Sequence, residues 1–298
     1  MYTINLKTDN SNGLEYIEIE NTSIQTSAKI YTSLGASLQA LTLNGKQIIT
    51  ALDPLPYSDT YASSILFPFA NRIDKGAYSF EGKTFQFPIN EPGNNNALHG
   101  LVFNKTFKLI KQVTDEHQAA ITLEYVEENV SKGFPYTFTI QLEYVLTANS
   151  LDLNVSVKNT DSKTFPFTLG WHPYFESANL FDSTLKFDSN KQLTFNDRCI
   201  TTGTKDVSGT ERFEIKDKYL DDCFLLNHNN ITFNTPEYSF VMSSSSKESF
   251  LQIYTPPKKT HVAIEPTTGV SNSFNNVMGL QTLKPNETYH LNWNIKLQ

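Results

Sequence analysis

Apolar and polar residues alternate along much of the chain with a period of two, which is typical of half-buried β-strands. The clearest example lies in mid-sequence, where apolar residues alternate with polar ones over residues 138–146 and again over residues 151–157. The intervening Ala-Asn-Ser stretch, residues 148–150, favours a turn. Shifting this pairing by one residue would move every apolar side chain into water. The pattern therefore predicts an antiparallel pair with a strongly specified register.

Other hairpins and strands are predicted on both sides of this pair. Asn44-Gly45 is typical of a type I′ turn between two apolar runs, and Tyr78–Phe87 indicates a second hairpin. Helical periodicity is nearly absent, and only the stretch Asp53–Ser64 is a candidate for a short helix. The later predicted strands are Thr184–Asp188, Cys223–Leu226, Tyr238–Met242, Phe250–Tyr254, Val262–Glu265 and Tyr289–Leu297.

The rhythm of these strands determines the predicted fold class. Many short strands separated by turns, without the alternation of strands and helices typical of parallel sheets, favour an antiparallel sandwich or barrel. We therefore expect an all-β protein, a large antiparallel β-sandwich. No change of composition resembling a linker interrupts the chain, so residues 1–298 are predicted to form a single domain.

Composition and charge exclude several classes of partner. The chain has 298 residues, a net charge of −7, and only three arginines, Arg72, Arg198 and Arg212. An acidic, arginine-poor surface repels phosphate backbones and anionic lipids, so we expect neither nucleic acid nor membrane as a partner. The two cysteines make no disulfide framework, and the first nine residues do not resemble a secretory signal. Both observations favour a cytoplasmic location.

The stretch Gly170–Phe175 is the first candidate for chemistry. Pro173 restrains the backbone at His172 toward an extended conformation, so the imidazole is expected at the stiff end of a strand. Trp171 and Tyr174 offer flat apolar faces of the kind that pack against the C–H face of a sugar, and we predict that Trp171 contacts substrate. The alternative for His172 is a core histidine hydrogen-bonded to the backbone.

Four other stretches concentrate polar groups where predicted strands begin or end. Arg72 follows an apolar run, and His99 ends a polar loop before a glycine. Asp221 and Asp222 precede one strand, and Glu265 ends another that is otherwise apolar. Each has a structural alternative: an internal salt bridge, a turn histidine, a solvated turn, or a carboxylate with a structural partner. Together they offer donors and acceptors for sugar hydroxyls and one acid–base pair.

These stretches resemble the aldose 1-epimerases, or mutarotases, which interconvert the α and β anomers of free hexoses. The resemblance spans nearly the whole chain. It is most specific in the run Phe67–Ile73, in the Gly76–Phe85 hairpin with its Tyr-x-Phe-x-Gly pattern, and in Leu98-His99-Gly100. It implies the galactose mutarotase-like supersandwich fold and a small-molecule sugar as substrate. No cofactor or metal is implied, and we expect a monomer or a weak homodimer.

The resemblance also implies roles for individual residues. Glu265 is similar to the general base that takes the proton from the C1 hydroxyl, and His172 to the general acid that faces the ring oxygen. Arg72, His99 and Asp221 resemble the residues that hold the sugar hydroxyls.

Asp221 is preferred to Asp222 because the family's aspartate comes three residues before the phenylalanine of this motif, here Phe224. The galactose-type enzymes have Asn and Ser on either side of the acid histidine, where this chain has Trp171 and Pro173. The preferred sugar is therefore left open.

A general base and a general acid together suit mutarotation, because ring opening removes a proton from O1 as another reaches O5. At ordinary pKa values a glutamate is ionised and a histidine partly protonated at neutral pH, which predicts a bell-shaped pH profile between the two. Three alternatives remain. One is a hexose-6-phosphate 1-epimerase of the same family, which needs a cationic phosphate clamp. Another is a non-catalytic carbohydrate-binding protein with the same sugar-binding groups. The third is a glycosidase in which Glu265 and Asp221 are the paired carboxylates.

Overall fold

The alternating residues of mid-sequence form the longest strand pair of the fold. A computed structural model describes residues 1–129 and 131–298. Phe138–Thr147 pairs antiparallel with Ser150–Asn159 in the predicted register, with Leu142 opposite Val155. The apolar side chains of both strands are buried on one face. The predicted hairpin is confirmed.

Strands account for most of the regular structure in the described part of the chain. The first fourteen are β1 (Thr3–Thr8), β2 (Glu15–Asn21), β3 (Thr26–Tyr31), β4 (Ser37–Leu43), β5 (Lys46–Ile49), β6 (Ile65–Leu66), β7 (Arg72–Asp74), β8 (Ala77–Phe80), β9 (Lys83–Gln86), β10 (Asn96–Leu98), β11 (Lys108–Thr114), β12 (Gln118–Glu127), β13 (Phe138–Thr147) and β14 (Ser150–Asn159). The others are β15 (Phe165–Phe167), β16 (Gly170–Trp171), β17 (Tyr174–Glu176), β18 (Thr184–Asp188), β19 (Lys191–Phe195), β20 (Thr201–Asp206), β21 (Phe213–Glu214), β22 (Asp221–Leu225), β23 (His228–Asn234), β24 (Ser239–Ser244), β25 (Phe250–Tyr254), β26 (His261–Thr267), β27 (Gln281–Leu283) and β28 (Thr288–Leu297).

Helical structure is limited to single turns in the described residues. They are α1 (Tyr57–Thr60), α2 (Ser273–Asn276), and 3₁₀ turns at Thr22–Ile24, Leu180–Asp182 and Thr210–Arg212. The helix expected within Asp53–Ser64 is thus only one turn long. Pro56 precedes it, and Tyr61 ends it in the left-handed region with φ 49°. None of the helices in residues 1–129 or 131–298 has the length and apolar character needed to cross a membrane.

Two large antiparallel sheets form the sandwich. One has nine strands in the order β11-β12-β13-β14-β28-β24-β23-β18-β21. The other has eight, in the order β20-β19-β22-β25-β26-β16-β6, with β17 also paired to β26. A five-stranded sheet, β1 to β5, adds its apolar face to the same core. The predicted all-β antiparallel sandwich is confirmed, whereas the single domain over 1–298 stays a prediction.

Aromatic side chains from the two large sheets meet in the core. Trp171 of the eight-stranded sheet stacks on Trp293 of the nine-stranded sheet with ring centroids 6.2 Å apart. Phe175 and Phe240 make a second contact of this kind at 4.6 Å. Trp171 has no exposed surface. Its indole therefore belongs to the packing between the sheets and not to a surface that could receive a ligand.

This packing predicts that Trp171→Ala lowers the free energy of unfolding by about 3–5 kcal/mol, because the cavity left behind cannot be filled without moving both sheets. Urea denaturation measures the loss. Phe181→Ala is the control, since Phe181 is 55% exposed and its removal should change stability by no more than about 0.5 kcal/mol. A loss below about 1 kcal/mol for Trp171→Ala would contradict this role.

Candidate active site

Three neighbouring strands of the eight-stranded sheet place polar side chains on its face away from the sandwich core. In β25 and β26, Gln252 lies directly opposite Glu265. In β22 and β25, Asp221 lies opposite Tyr254, which is two residues from Gln252 and so on the same face. Val262 and Ile264 on the alternate positions of β26 belong to the core. The period of two thus separates the polar face from the apolar one.

A two-stranded ladder brings Arg72 and His99 to this face. Arg72 in β7 pairs with Leu98 in β10, and the backbone N–H of His99 donates to the carbonyl of Asn71 over 2.8 Å. Gly100 follows with φ +75°, and a Cβ there would lie 2.2 Å from the carbonyl oxygen of Phe67. Only glycine permits this close approach, which fixes the direction in which the His99 loop leaves the ladder.

His172 lies in the short gap between β16 and β17. Its backbone N–H donates to the carbonyl of Ser64 over 3.1 Å, and its carbonyl accepts from the N–H of Ser63 over 2.7 Å. Its ring stacks on Tyr174 with centroids 5.0 Å apart, and the edge of His99 meets it at 5.1 Å. The imidazole is therefore held by backbone on both sides and by rings on two faces.

These groups line one cavity of about 230 Å³. That is below the ~300–1,000 Å³ typical of sites for drug-sized ligands, so the cavity suits one small polar molecule. Five of the predicted site residues meet here, namely Arg72, His99, His172, Asp221 and Glu265. The other described lining residues are Asp59, Tyr61, Asn71, Glu91, Leu98, Tyr174, Tyr219, Gln252 and Tyr254.

Trp171 is the predicted site residue that the structure does not place with the others. Its neighbour His172 lines the cavity, but Trp171 points to the opposite side of the sheet and stacks on Trp293. The expectation that Trp171 contacts a sugar is therefore wrong, because adjacent residues of an extended strand face opposite sides. Tyr174, two residues beyond His172, supplies the aromatic wall instead.

The imidazole and carboxylate expected to form the acid–base pair face each other. His172 Nε2 lies 3.6 Å from Glu265 Oε1, and both side chains are about 95% buried. Burial lowers the pKa of His172 to about 3, with a smaller contribution from the charge of Arg72. Burial, followed by the charge of Asp221, raises the pKa of Glu265 well above its ordinary range, although Arg72 opposes this.

These opposed shifts leave one proton on the pair over a wide range of pH. Below a pH of about 3 both groups are protonated, and above the raised pKa of Glu265 neither is. Between these limits the pair is either a neutral acid beside a neutral imidazole or a carboxylate beside an imidazolium. From ordinary pKa values, the sequence predicts that the pair holds one proton only over a narrow pH range. The structure corrects this to a much wider pH range.

Arg72 is held by a carboxylate that the sequence analysis missed. Its Nε and Nη2 donate to the carboxylate of Glu91 over 2.8–3.0 Å, and the side chains of Asn94 and Asn96 donate to the same group. Burial would raise the pKa of Glu91, but the hydrogen bonds and charge of Arg72 outweigh it and the pKa is lowered. The guanidinium is thus fixed and partly neutralised.

Gln252 is a second residue that sequence reasoning missed. Its Nε2 donates to Asp221 Oδ1 over 2.7 Å, and its Oε1 accepts from Asn71 Nδ2 over 3.4 Å. The amide thereby orients the carboxylate of Asp221. A polar residue inside the apolar strand Phe250–Tyr254 was the available signal. Asp222 is not among the lining residues and accepts from Gln192, which supports the choice of Asp221.

No cluster of three or more His, Cys, Asp or Glu side chains suited to a metal ion occurs in the described part of the chain. The expectation that the site needs no metal or cofactor stays a prediction.

The sequence profile of the aldose 1-epimerase family matches residues 15–296. The chain belongs to the aldose 1-epimerase family.

The chain is also similar to individual proteins and to a solved structure. Over 275 residues, 88% of each chain, it is 24% identical to the uncharacterised protein YihR of Escherichia coli. Over 192 residues, 60% of this chain and 54% of the relative, it is 26% identical to the galactose mutarotase of Bos taurus. A galactose mutarotase-like protein from Clostridium acetobutylicum has the same fold, with a TM-score of 0.89 at 24% identity over 99% of this chain and 98% of the other.

The raised pKa of Glu265 makes the stability of this aldose 1-epimerase family member depend on pH. Above the ordinary pKa of 4.5 the unfolded chain loses the Glu265 proton while the folded protein retains it. The contribution of Glu265 to wild-type stability therefore falls as pH rises, and Glu265→Gln removes this loss. Between the ordinary pKa of 4.5 and the raised pKa of Glu265, we expect the variant to gain on the order of 1 kcal/mol per pH unit at most over wild type.

Urea denaturation at several pH values measures this difference. Glu116→Gln, which alters an exposed turn carboxylate, is the matched control and should parallel wild type. A difference between Glu265→Gln and wild type that does not change with pH would contradict the raised pKa.

Proposed function

We propose that this protein is an aldose 1-epimerase that interconverts the α and β anomers of a free hexose. The observation that carries the proposal is the 3.6 Å approach of His172 Nε2 to Glu265 Oε1 on the wall of a small polar cavity. Family membership supports the reaction class, and the cavity supports a substrate of monosaccharide size.

The single proton of the pair matches the proton balance of the reaction. Ring opening by the imidazolium and carboxylate form transfers a proton from His172 to O5 and another from O1 to Glu265. The C1–O5 bond breaks, C1 becomes an aldehyde, and the pair is left in its neutral form. After rotation about C1–C2, Glu265 returns a proton to O1 and His172 takes one from O5 as the bond reforms. Each group ends as it began.

The two forms of the pair are therefore matched to two states of the sugar. The ion-paired form is complementary to the cyclic hemiacetal, and the neutral form to the open aldehyde. Burial stabilises the neutral form, so the site lowers the free energy of the intermediate that is scarce in water. Arg72, His99 and Asp221 are proposed to hold the other hydroxyls, with Gln252 orienting Asp221 and Glu91 orienting Arg72.

The lining charges favour a neutral sugar over a hexose 6-phosphate. Arg72 is the one permanently cationic side chain among the described lining residues, and it is already paired with Glu91. Arg198 is paired with Asp74, and Arg212 lies 3.8 Å from Glu214. A phosphate dianion entering the cavity would instead approach Asp59 and Asp221.

A non-catalytic sugar-binding role does not explain why the pKa values of His172 and Glu265 are shifted in complementary directions. The cytoplasmic location and the monomeric or weakly dimeric state stay predictions.

Glu265→Gln and His172→Asn are each expected to reduce the mutarotation rate by about 10²–10⁴-fold, because each removes one proton carrier. Polarimetry on freshly dissolved α-glucose and α-galactose measures the rate. Calorimetry should show that both variants still bind the sugar.

His290→Asn and Glu116→Gln are matched controls, since both residues are exposed, and they should keep the wild-type rate. Glucose 6-phosphate in the same assay tests the phosphate alternative and should react more slowly than glucose. Unchanged rates in the Glu265 and His172 variants would defeat the assignment. Sugar binding without any acceleration by the wild type would favour the binding protein.

A further inference from the structure

The strands that carry the acid–base pair also carry a second glutamate and a second histidine. In the antiparallel pairing of β17 with β26, Glu176 lies opposite His261. The same register, continued four residues along each strand, places His172 opposite Glu265. An even number of residues separates the two pairs, so both lie on the same face of the sheet. The position of one pair therefore determines the position of the other.

A chain of hydrogen bonds joins the second pair through the hydroxyl of Thr50, which directly follows β5. Thr50 Oγ1 donates to Glu176 Oε2 over 2.7 Å and lies 2.9 Å from His261 Nε2. Because the single hydroxyl proton goes to the carboxylate, Nε2 must carry the hydrogen that the Thr50 oxygen accepts. In a neutral imidazole Nδ1 is then an acceptor, and Thr260 Oγ1 donates to it over 2.9 Å. Each bond of the chain thus has only one direction.

His261 is a buried histidine that the proposed reaction does not use. It has no exposed surface and is not among the residues that line the cavity. Burial, with a smaller contribution from the charge of Lys258, lowers its pKa to about 4. The imidazole is therefore neutral at neutral pH, as the direction of the hydrogen bonds requires. A buried ring with both nitrogens bonded disfavours any alignment of the strands that removes its partners.

The alternation of apolar residues cannot set the register of these strands. Every residue of β26 is buried, and so are residues 170–175 opposite it. In a half-exposed strand a slip of one residue moves apolar side chains into water, but here it would exchange one buried face for the other. β16 and β17 have only two and three residues, so their backbone hydrogen bonds add little preference. A specific side-chain contact is needed to fix the register.

We propose that Thr50, Glu176 and His261, the Thr50 cluster, fix the register of β17 on β26 and thereby position the acid–base pair. A slip of one residue would turn Glu176 away from His261 and leave buried polar groups without partners. The same slip would carry His172 out of reach of Glu265. Because Thr50 follows β5, the cluster also ties these strands to the five-stranded sheet. This inference rests on the proposed epimerase function and adds positioning residues that do not touch the sugar.

The test replaces Thr50 by valine, which has nearly the same shape but no hydroxyl. Polarimetry with glucose should show kcat lowered about tenfold, because a misplacement of about 1 Å can cost up to about 100-fold. KM should stay within about twofold, since the groups that hold the sugar are unchanged. Thr50→Ser keeps the hydroxyl and should restore most of the rate.

Thr26→Val is the matched control. Thr26 is buried and its hydroxyl donates to the carbonyl of Ala148 over 3.2 Å, so this variant should lose stability but keep the wild-type kcat. Wild-type kcat in Thr50→Val, an equal loss in Thr26→Val, or no recovery in Thr50→Ser would overturn the proposal. If Thr50→Val does not fold, Glu176→Leu removes the acceptor at the other end of the chain from a half-buried position. It should then give the same loss, and wild-type kcat would overturn the proposal.

A crystal structure of Thr50→Val separates this proposal from the proposed function. The distance from His172 Nε2 to Glu265 Oε1, 3.6 Å in the wild type, should lengthen by about 1 Å. An unchanged distance would overturn the positioning role even if the wild type epimerises sugars. If the wild type epimerises no sugar, the proposed function fails, while a lengthened distance still supports the role of the Thr50 cluster in fixing the pair.

Discussion

The chemistry proposed for this site depends on a carboxylic acid and an imidazole that share one proton within a space that excludes most water. Glu265 and His172 are about 95% buried and 3.6 Å apart. A separated charge on either group would be costly at that depth. Their proximity lets the charge appear on both groups together or on neither. In the proposed reaction, the pair receives a proton from one side of the sugar as it gives another to the opposite side. The net change in the pair is only that the shared proton moves between His172 and Glu265.

The scaffold fixes this pair through sheet register. Glu265 is in β26 and His172 follows β16, and these strands are neighbours with Gly170 opposite Thr267. Because β26 is buried along its whole length, its apolar residues hold Glu265 in place from the core side. The ion pair with Glu91 fixes Arg72 on the facing wall of the cavity. The ladder there has only two strands and could not fix a long side chain by itself. Rigid packing on one side and a buried ion pair on the other leave little freedom for the site to relax.

Much of the fold was predictable because the strands follow a simple period. The alternation over residues 138–157 gave the correct register, and the Asn44-Gly45 turn joins β4 and β5 as expected. The short helix expected within Asp53–Ser64 is present as a single turn, because Pro56 precedes it and a left-handed Tyr61 ends it. The side of the sheet on which Trp171 lies was not predictable, since strands as short as β16 carry too few residues to reveal an alternation.

Only part of the site could be predicted from the sequence. Residues with unusual neighbours, such as Glu265 in an apolar strand, could be singled out, and the family resemblance supplied their roles. Glu91 and Gln252 act through partners 19 and 31 residues away in the chain, so their roles could not be predicted from their immediate neighbours, although Gln252 stands out as a polar residue in an apolar strand. The pKa shifts of His172 and Glu265 arise from burial that only the folded structure defines.

The most direct measurement is a crystal structure of Glu265→Gln with a bound hexose. Here the sugar should be retained because its proton acceptor has been replaced by an amide of the same shape. O1 is predicted to lie at the side chain of residue 265 and O5 at Nε2 of His172, each at a hydrogen-bond distance of about 2.6–3.2 Å. A hexose bound with its anomeric carbon away from either residue would contradict the shared-proton mechanism.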